Sequence, residues 1–337
     1  MPWPHPSDGA PLHGGPDALG APVHDFSTNA NACGPCPQAL QALHTADRSR
    51  YPDPAYTALR AQLAAFHGVA PGRVVLAASA SEFIHRISAH AARSGLRQAV
   101  LPAHGYGDYA RAAQAWGLEQ AGATPAPALH WACEPASPLG GPDAALDAWA
   151  QHGAAPPPGL YVLDCAYAPL RLAGRARAVP RHAWQLWTPN KALGLTGVRA
   201  AYAIAPEGAA AQAAALQALA PSWPVGADGV ALLAAWVQAD AQAWLAQSRA
   251  VLRAWKAQQA ALCAALGWEV LPGSLANYFT ARLPLADAAA RAALLQRLRA
   301  QGIKLRDCAS FGLPGCVRLG VLAPVAQQAL RAALARG

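Results

Sequence analysis

The chain contains the stretch Trp187-Thr-Pro-Asn-Lys191-Ala-Leu-Gly-Leu-Thr-Gly-Val-Arg199, in which a lysine lies in an uncharged, glycine-containing turn directly after an apolar, aromatic run. Only three lysines occur in the chain, and Lys191 alone has such surroundings. A lysine that forms a Schiff base with a carbonyl compound must lose its proton near neutral pH, and partial burial favours that loss. Thr188 supplies a hydroxyl and Arg199 a planar cation, which are groups that bind phosphate. The alternative interpretation is a half-buried lysine that only closes the turn.

The length of 337 residues is enough for one large or two medium domains, each with its own core. Hydrophobic residues make up 54% of the chain and charged residues 13%, which indicates a globular protein rather than a disordered one. No apolar span reaches transmembrane length without a break, and the N-terminal Met-Pro-Trp-Pro-His-Pro lacks a signal pattern. The sequence therefore predicts a soluble, cytoplasmic protein with no membrane partner.

The formal net charge of +8 first suggests a nucleic-acid partner. However, the arginines are dispersed, and the chain has no basic run and no aromatic-basic interleaving of the kind that single-strand binders use. Anionic substrates and cofactors explain arginines equally well, so we expect no nucleic-acid binding. A basic binding module remains the alternative from a different functional class.

Seven cysteines without regular spacing argue against a disulfide framework. Cys33-Gly-Pro-Cys36 matches the thioredoxin-type redox tetrapeptide, but it follows a polar loop and precedes Pro37. We therefore interpret it as a proline turn that leads into a helix, with a redox role as the alternative. No second Cys or His pair lies at ligand spacing, so we expect no metal site.

Polar side chains follow two predicted strands. Val74-Val-Leu-Ala-Ala is followed by Ser79-Ala80-Ser81-Glu at a helix start, where free N–H groups and the helix dipole favour a phosphate. An ordinary N-cap is the alternative for these serines. Leu160-Tyr-Val-Leu-Asp164 ends in a carboxylate, which would point into the crevice where open α/β sheets bind ligands.

Tyr106 lies just past a third predicted strand, Gln98–Leu101, and an aromatic ring there can stack on a planar cofactor. Tyr109 is interpreted as a wedge against the next helix. The strand and helix alternation predicts an N-terminal arm over residues 1–30, a large α/β domain over 31–225 and a small α+β domain over 226–337 that includes part of the arm.

In its motifs the chain resembles the fold-type-I pyridoxal-phosphate enzymes, the aspartate aminotransferase superfamily. The stretch around Lys191 is similar to their lysine motif, with Asn190 where a small hydroxyl residue is more usual. The resemblance implies a mostly parallel central sheet in the large domain. It also implies that Lys191 holds the aldehyde of pyridoxal 5′-phosphate and that the cofactor's other contacts come from Ser79, Ala80, Ser81, Tyr106, Ser137, Asp164, Tyr167, Thr188 and Arg199.

Individual roles follow from the same resemblance. Asp164 would pair with the pyridine nitrogen and Tyr167 with the ring hydroxyl, and both are counted with Lys191 as catalytic. Tyr51, in Arg-Tyr-Pro-Asp-Pro, is similar to a tyrosine that reaches the cofactor phosphate in a neighbouring subunit. This last match implies a homodimer with shared active sites.

Within the superfamily, the chain most resembles the threonine-phosphate decarboxylases of cobalamin biosynthesis and next the histidinol-phosphate aminotransferases. This preference rests on the arm, with His13-Gly-Gly15 and Asp25-Phe-Ser-Thr-Asn29, and on the loop between Arg306 and Arg318. His13, Asn29 and the two arginines are therefore the candidate substrate-binding residues. A small phosphorylated amino acid would supply the anions, and surface arginines on a strand are the alternative.

One departure concerns Glu134-Pro-Ala-Ser137-Pro-Leu-Gly140, where the superfamily usually has Asn-Pro-x-Asn-Pro-Thr-Gly. Ser137 would have to replace the second Asn, which bonds the ring hydroxyl, with a shorter reach. We expect decarboxylation of L-threonine O-3-phosphate, with transamination of histidinol phosphate or a related amino acid as the alternative. A catalytically weak pyridoxal-phosphate-binding protein is the second alternative.

Overall fold

The computed structural model describes residues 13–122, 126–151 and 156–336. Residues 1–12 of the predicted arm lie outside the described residues. The strands are β1 (His24–Asp25), β2 (Val74–Ala77), β3 (Gln98–Val100), β4 (Glu119–Ala121), β5 (Ala128–Cys133), β6 (Gly159–Asp164), β7 (Ala183–Trp187), β8 (Ala201–Ile204), β9 (Glu269–Val270), β10 (Tyr278–Arg282), β11 (Ile303–Lys304), β12 (Arg306–Asp307) and β13 (Cys316–Gly320).

The helices begin and end at recognisable signals. Helix α1 has a proline at its first position, α2 ends at Gly68 in the left-handed region, and the Ser79 hydroxyl caps α3 by accepting from the Glu82 N–H. The helices are α1 (Pro37–His44), α2 (Thr57–His67), α3 (Ala80–Arg93), α4 (Gly107–Ala115), α5 (Ala144–Gln151), α6 (Ala210–Ala218), α7 (Ala227–Trp236), α8 (Ala239–Ala265), α9 (Ala288–Ala300) and α10 (Pro324–Ala335).

The large sheet has seven strands in the order β2-β8-β7-β6-β5-β3-β4. Strands β7, β6, β5, β3 and β4 are parallel to one another, whereas β8 is antiparallel to both β7 and β2. Most residues of the inner strands β5, β6 and β8 are buried, as expected for a mostly parallel sheet that is covered on both faces. The predicted α/β fold with a mostly parallel central sheet is confirmed.

A second, antiparallel sheet has the order β12-β13-β10-β9, and β1 of the arm pairs in parallel with β11. Phe26 of the arm is fully buried in the core of this sheet, together with Phe279 and Leu319. Residues 24–26 of the arm thus pack with the second sheet, and the assignment of the arm to a C-terminal domain stays a prediction.

Helix α8 joins the two cores. It spans about 40 Å at 1.5 Å per residue over its 27 residues. Leu245 and Leu252 pack in the same cluster as Tyr202 of β8, whereas Cys263 packs with the second sheet. Residues beyond 225 therefore contribute to the core of the large sheet, and the domain boundary at residue 225 stays a prediction.

No helix in the described part of the chain is both long and apolar enough to cross a membrane.

An ion-pair clamp fixes the start of the arm. Asp17 accepts hydrogen bonds from Arg299 at 2.7 and 2.9 Å and pairs with Lys304 at 3.0 Å. The buried Lys304 ammonium also donates to the Gly15 carbonyl at 2.6 Å. The bonds from Arg299 and Lys304 hold the pKa of the Asp17 carboxyl well below its usual range.

We predict that Asp17→Asn lowers the melting temperature at pH 7 and speeds proteolysis of residues 13–23. Because the folded-state pKa is depressed, the carboxylate's contribution is present above its unfolded pKa of about 4 and is lost as the pH falls below it. The difference between variant and wild type should therefore shrink from pH 7 to pH 3, as measured by thermal unfolding. Asp47→Asn is the control, because an amide oxygen can still accept from the partners at Ser49. A difference that is unchanged at pH 3 would contradict the clamp.

Candidate functional site

The site forms where several strands of the large sheet end. Strands β3, β5, β6 and β7 run parallel, and β2 has the same direction because β8 lies antiparallel between β2 and β7. The carboxyl ends of these five strands therefore meet at one edge of the sheet, where open α/β sheets bind ligands. The loops that follow them carry Ser79–Ser81, Tyr106, Ser137, Asp164–Tyr167 and Thr188–Lys191.

The loop that carries Lys191 is held by the segment after the arm. The Asn31 N–H donates to the Lys191 carbonyl at 2.9 Å, the Asn31 side chain donates to the Ala192 carbonyl at 3.0 Å, and the Cys36 N–H donates to the Leu193 carbonyl at 2.8 Å. Gly194 has a φ of +68°, and a β-carbon there would lie 2.5 Å from the Gly34 carbonyl oxygen. The close approach of the two segments therefore requires glycine at position 194.

Asn190, the unusual residue of the lysine motif, has a structural role in this loop. Its side-chain nitrogen lies 3.3 Å from the carbonyl oxygens of Thr196 and Val198, so it closes the turn after the lysine. Lys191 itself is half-buried, and its Nζ lies 5.5 Å from the centre of the Tyr167 ring. The structure thus brings together the lysine and the tyrosine that the sequence indicated.

Cys33 and Cys36 lie in this supporting segment, which leads into α1 as predicted. All seven cysteines carry free thiols. Burial raises the pKa of the Cys33 thiol, whereas redox motifs depend on a lowered one. The interpretation of Cys33-Gly-Pro-Cys36 as a turn into a helix is confirmed.

Asp164 is buried at the end of β6 and is held by two hydrogen bonds. The Tyr109 hydroxyl donates to Oδ2 at 2.6 Å, and the Ala166 N–H donates to Oδ1 at 2.8 Å. Burial raises the pKa of the carboxyl group, while the bond from Tyr109 and the charge of Lys191 act in the opposite direction. A protonated ring nitrogen placed here would gain a buried counter-ion whose orientation is already fixed.

Tyr109 was interpreted from the sequence as a wedge, and it does pack, with its ring stacked on Trp131 at 4.5 Å. Its buried hydroxyl, however, also positions Asp164. The available signal was its place on the first turn of the helix after Tyr106. The sequence offered no means of pairing that helix with the end of β6.

Tyr106 and the serines after β2 form a second side of the site. The Ser81 hydroxyl lies 3.2 Å from the Tyr106 hydroxyl, and the His13 ring lies 5.8 Å from the Tyr106 ring. Ser79 acts as the N-cap, so the ordinary alternative is correct for its hydroxyl. The first turn of α3 still leaves the N–H groups of Ala80 and Ser81 without partners inside the helix.

The two candidate substrate arginines share one aromatic ring. The guanidinium carbons of Arg306 and Arg318 lie 4.8 and 5.7 Å from the centre of the Phe311 ring. Arg306 also donates to the Asp307 carbonyl and the Ser310 hydroxyl, both at 2.7 Å. Burial and the neighbouring Arg318 lower the pKa of Arg306, as expected for two cations close together. An anion between them would offset this repulsion.

Ser137 contacts one of the two candidate substrate arginines. Arg318 donates to the Ser137 hydroxyl at 2.9 Å and to the Ser27 carbonyl at 2.8 Å. A hydroxyl that accepts from a guanidinium still has its own proton to donate. Ser137 is thus placed to link an arginine to a further acceptor, and its contact with a cofactor stays a prediction.

Two predicted site residues are not brought to this group of side chains. Tyr51 is 78% exposed and stacks on Trp223 at 4.4 Å, and Arg199 is exposed. Tyr51 was expected to act in a neighbouring subunit, so its exposure leaves that role a prediction. The phosphate contact of Arg199 likewise stays a prediction.

Buried polar atoms without partners lie around the same loops. They are the Thr188 hydroxyl, both side-chain atoms of Asn29 and Nε of Arg318. Buried polar groups in proteins usually have a hydrogen-bond partner, and a ligand bound at this edge of the sheet would supply one for these atoms. A hydroxyl beside the lysine, together with free N–H groups at the start of α3, suits a phosphate. The residues present therefore fit pyridoxal phosphate.

Comparisons with known proteins agree with this fit. Residues 160–336 match the family model described as aminotransferase class I and II. The chain is 28% identical to the histidinol-phosphate aminotransferase of Hyphomonas neptunium, over 93% of this chain and 89% of that protein.

Solved structures share the fold. The histidinol-phosphate aminotransferase of Sinorhizobium meliloti, in complex with pyridoxal-5′-phosphate, superposes with a TM-score of 0.80 at 23% identity, over 98% of this chain and 97% of that one. The L-threonine-O-3-phosphate decarboxylase of Porphyromonas gingivalis gives 0.75 at 21% identity, over 93% and 99%. The superfamily resemblance read from the sequence is confirmed. Because the family model covers more than half of the chain, this protein belongs to the class I and II aminotransferase family of enzymes, and its cofactor is pyridoxal phosphate.

Proposed function

We propose that this protein is an aminotransferase whose amine substrate carries a phosphate ester, with L-histidinol phosphate as the first substrate to test. The observation that carries the proposal is the buried pair Arg306 and Arg318 on Phe311, connected to Lys191 through Tyr278 and Tyr167. The pair offers an anion site that is connected to the lysine by these two aromatic rings. Support for histidinol phosphate comes from relatives named histidinol-phosphate aminotransferase, which align along most of the chain.

The cofactor position that we propose uses the loops at the sheet edge. The phosphate would be held by the N–H groups of Ala80 and Ser81 and by the hydroxyl of Thr188, and Asp164 would pair with the ring nitrogen. Tyr106 would lie on the ring, and Tyr167 and Ser137 would contact the ring hydroxyl. The bound cofactor supplies an electron sink for the bonds at the substrate α-carbon.

The protein's own residues would then perform three tasks. Lys191 would take the proton from the substrate α-carbon and, in an aminotransferase, deliver it to the cofactor carbon that carries the transferred nitrogen; its Nζ lies 5.5 Å from the centre of the Tyr167 ring. Arg306 and Arg318 would hold the anionic group and so set the orientation of the α-carbon. His13, whose pKa is lowered by burial and further by Arg306, would cover the site from the arm.

The sequence favoured decarboxylation of L-threonine O-3-phosphate, and the comparisons support the aminotransferase alternative better. The decarboxylase remains our second candidate because of the arginine pair. Threonine phosphate carries a carboxylate and a phosphate for two guanidinium groups, whereas histidinol phosphate carries only a phosphate. An aminotransferase would use the second arginine for a carboxylate of its amino acceptor.

We also propose a homodimer in which Tyr51 reaches the cofactor phosphate of the neighbouring subunit. Its exposed ring is held by the stack on Trp223, whose Nε1 donates to the Pro52 carbonyl at 3.0 Å. A tyrosine fixed in this way on the surface is available to a second copy of the chain.

The substrate is tested with the cofactor-loaded protein in two assays. We expect L-histidinol phosphate and 2-oxoglutarate to give glutamate, and L-threonine O-3-phosphate to release no stoichiometric CO2, both followed by mass spectrometry. Lys191→Ala and Lys191→Arg should lose the visible absorbance of the lysine-bound cofactor and on the order of 10³-fold or more of the activity, because no base remains at the α-carbon. CO2 and 1-aminopropan-2-yl phosphate as products would instead establish the second candidate. Full activity of Lys191→Ala would overturn both.

The cofactor position is tested by Thr188→Val, which removes a hydroxyl that has no partner in the protein. We predict an unchanged or higher melting temperature for the cofactor-free variant and a cofactor dissociation constant raised about threefold to tenfold, the range for one lost hydrogen bond. Ser88→Ala is the matched control, because its buried hydroxyl also lacks a partner and lies in α3, about two turns beyond Ser81 and the proposed phosphate contacts. Equal cofactor affinity in Thr188→Val and wild type would contradict the assignment.

A further inference from the structure

Loop 134–140, which carries Ser137, cannot be held by a regular backbone ladder. Pro135 and Pro138 have no N–H groups, so the loop has few donors of its own. Its backbone bonds, from the Ala136 N–H to the Gly141 carbonyl and from the Gly140 N–H to the Ala136 carbonyl, close the turn but leave the carbonyls of Pro135 and Pro138 to donors from other elements. Because Ser137 contacts Arg318, those donors also affect the position of the Arg318 guanidinium.

Two buried hydroxyls of β10 supply these donors. The Tyr278 hydroxyl lies 3.1 Å from the Ala136 carbonyl oxygen and 3.3 Å from that of Pro135. The Thr280 hydroxyl donates to the Pro138 carbonyl at 2.8 Å. Residues two apart on a strand point to the same face, so both side chains meet the loop together. Both are fully buried, and an unbonded hydroxyl there would lose free energy.

The register of β10 and β13 places Arg318 beside these hydroxyls. Thr280 is the cross-strand partner of Arg318, and Tyr278 is the partner of Gly320. Side chains opposite each other in an antiparallel pair have β-carbons about 5 Å apart. One two-stranded ladder thus contacts the loop at four consecutive residues, 135–138.

The ring of Tyr278 touches both halves of the site. It makes an edge contact with the Tyr167 ring at a centroid distance of 4.8 Å, and the Arg318 guanidinium carbon lies 5.6 Å from its centre. A phenylalanine would preserve both ring contacts. The hydroxyl is needed only for the bond to the loop, so its function can be tested separately from packing.

We propose that Tyr278 is a positioning residue that holds Ser137 through loop 134–140 and thereby orients Arg318 for binding the anionic group of the substrate. This inference deepens the proposed function and rests on it for the role of Arg318. Tyr278 touches no reacting atom in this assignment. It acts through the carbonyls of Pro135 and Ala136, and Ser137 transmits its effect to the guanidinium.

The test uses the cofactor-loaded protein, so that the cofactor occupies its own phosphate site, and inorganic phosphate as the probe, with calorimetry as the readout. Tyr278→Phe and Ser137→Ala should each weaken phosphate binding about threefold to tenfold, as for one lost hydrogen bond. The double variant should bind as weakly as Ser137→Ala alone, because Tyr278 acts through Ser137. With the substrate that the protein turns over, Tyr278→Phe should raise KM by the same factor while its kcat stays within about twofold.

Tyr161→Phe is the matched control, because its buried hydroxyl also donates to a proline carbonyl, that of Pro157, away from the site. It should bind phosphate as the wild type does. If Tyr278→Phe does not fold, Thr280→Val releases the same loop at Pro138 and should give the same weakening and the same lack of effect in the Ser137→Ala background.

Wild-type phosphate affinity in Tyr278→Phe, independent effects in the double variant, or no phosphate binding by the wild type would each overturn the inference. Absence of turnover with both substrates would overturn the proposed function instead. The phosphate measurements need no turnover, so the two failures are distinguishable.

Discussion

Backbone hydrogen bonds hold the lysine loop to a segment that lies far earlier in the chain. Asn31 and Ala192 are 161 residues apart, yet the Asn31 side chain and backbone bond two successive carbonyls of this loop. The loop lies outside the regular ladder of the sheet, so without these donors its carbonyls would be unsatisfied and its lysine mobile. Gly194 allows the approach because any side chain there would strike the Gly34 carbonyl. The position of segment 31–36 therefore determines the position of the lysine loop.

The arm connects segment 31–36 to the second sheet. Its strand β1 pairs with β11, its Phe26 lies in the second core, and the Phe26 carbonyl accepts from the Gly320 N–H at 2.7 Å. The Asn277 side chain donates to the carbonyls of Asn29 and Ala30 at 3.2 and 3.1 Å. The same sheet that carries Arg318 therefore also holds the segment that supports Lys191. A continuous set of short contacts, rather than one flexible linker, therefore fixes the position of Lys191 relative to the proposed anion site.

Local sequence predicted the parts of the site that lie at strand ends. Lys191, Asp164 and Tyr106 were identified because each follows an apolar run, and the sheet edge brings them together. Strands β4 and β5 are not among the strands predicted from the sequence, because their residues are weakly patterned; they owe their strand structure to pairing with β3 and β6. Without β5, the sequence did not show that Ser137 lies in a loop at the carboxyl end of a sheet strand.

Residues that act through long-range contacts gave no local signal. Tyr109 and Tyr278 have ordinary aromatic patterns, and their hydroxyls become informative only once their partners, Asp164 and the loop at Ala136, are known. Ser79 illustrates the opposite case, because a serine before a helix predicts a cap from sequence alone, and it is one. Local chemistry was thus readable from the sequence, while the pairing of distant elements was not.

The choice between removing a proton and removing CO2 depends on which bond at the substrate α-carbon faces the cofactor ring correctly. Family membership does not determine that orientation, since both reactions occur on this fold. In the proposed assignment the orientation depends on Arg306, held by Ser310 and the Asp307 carbonyl, and on Arg318, held by Ser137 and the Ser27 carbonyl. Ser137 stands where the superfamily usually has an asparagine, and its oxygen accepts from Arg318. In that assignment Ser137 would connect the cofactor's ring hydroxyl to the arginine, and the anion that fits the arginine pair would set which bond is broken.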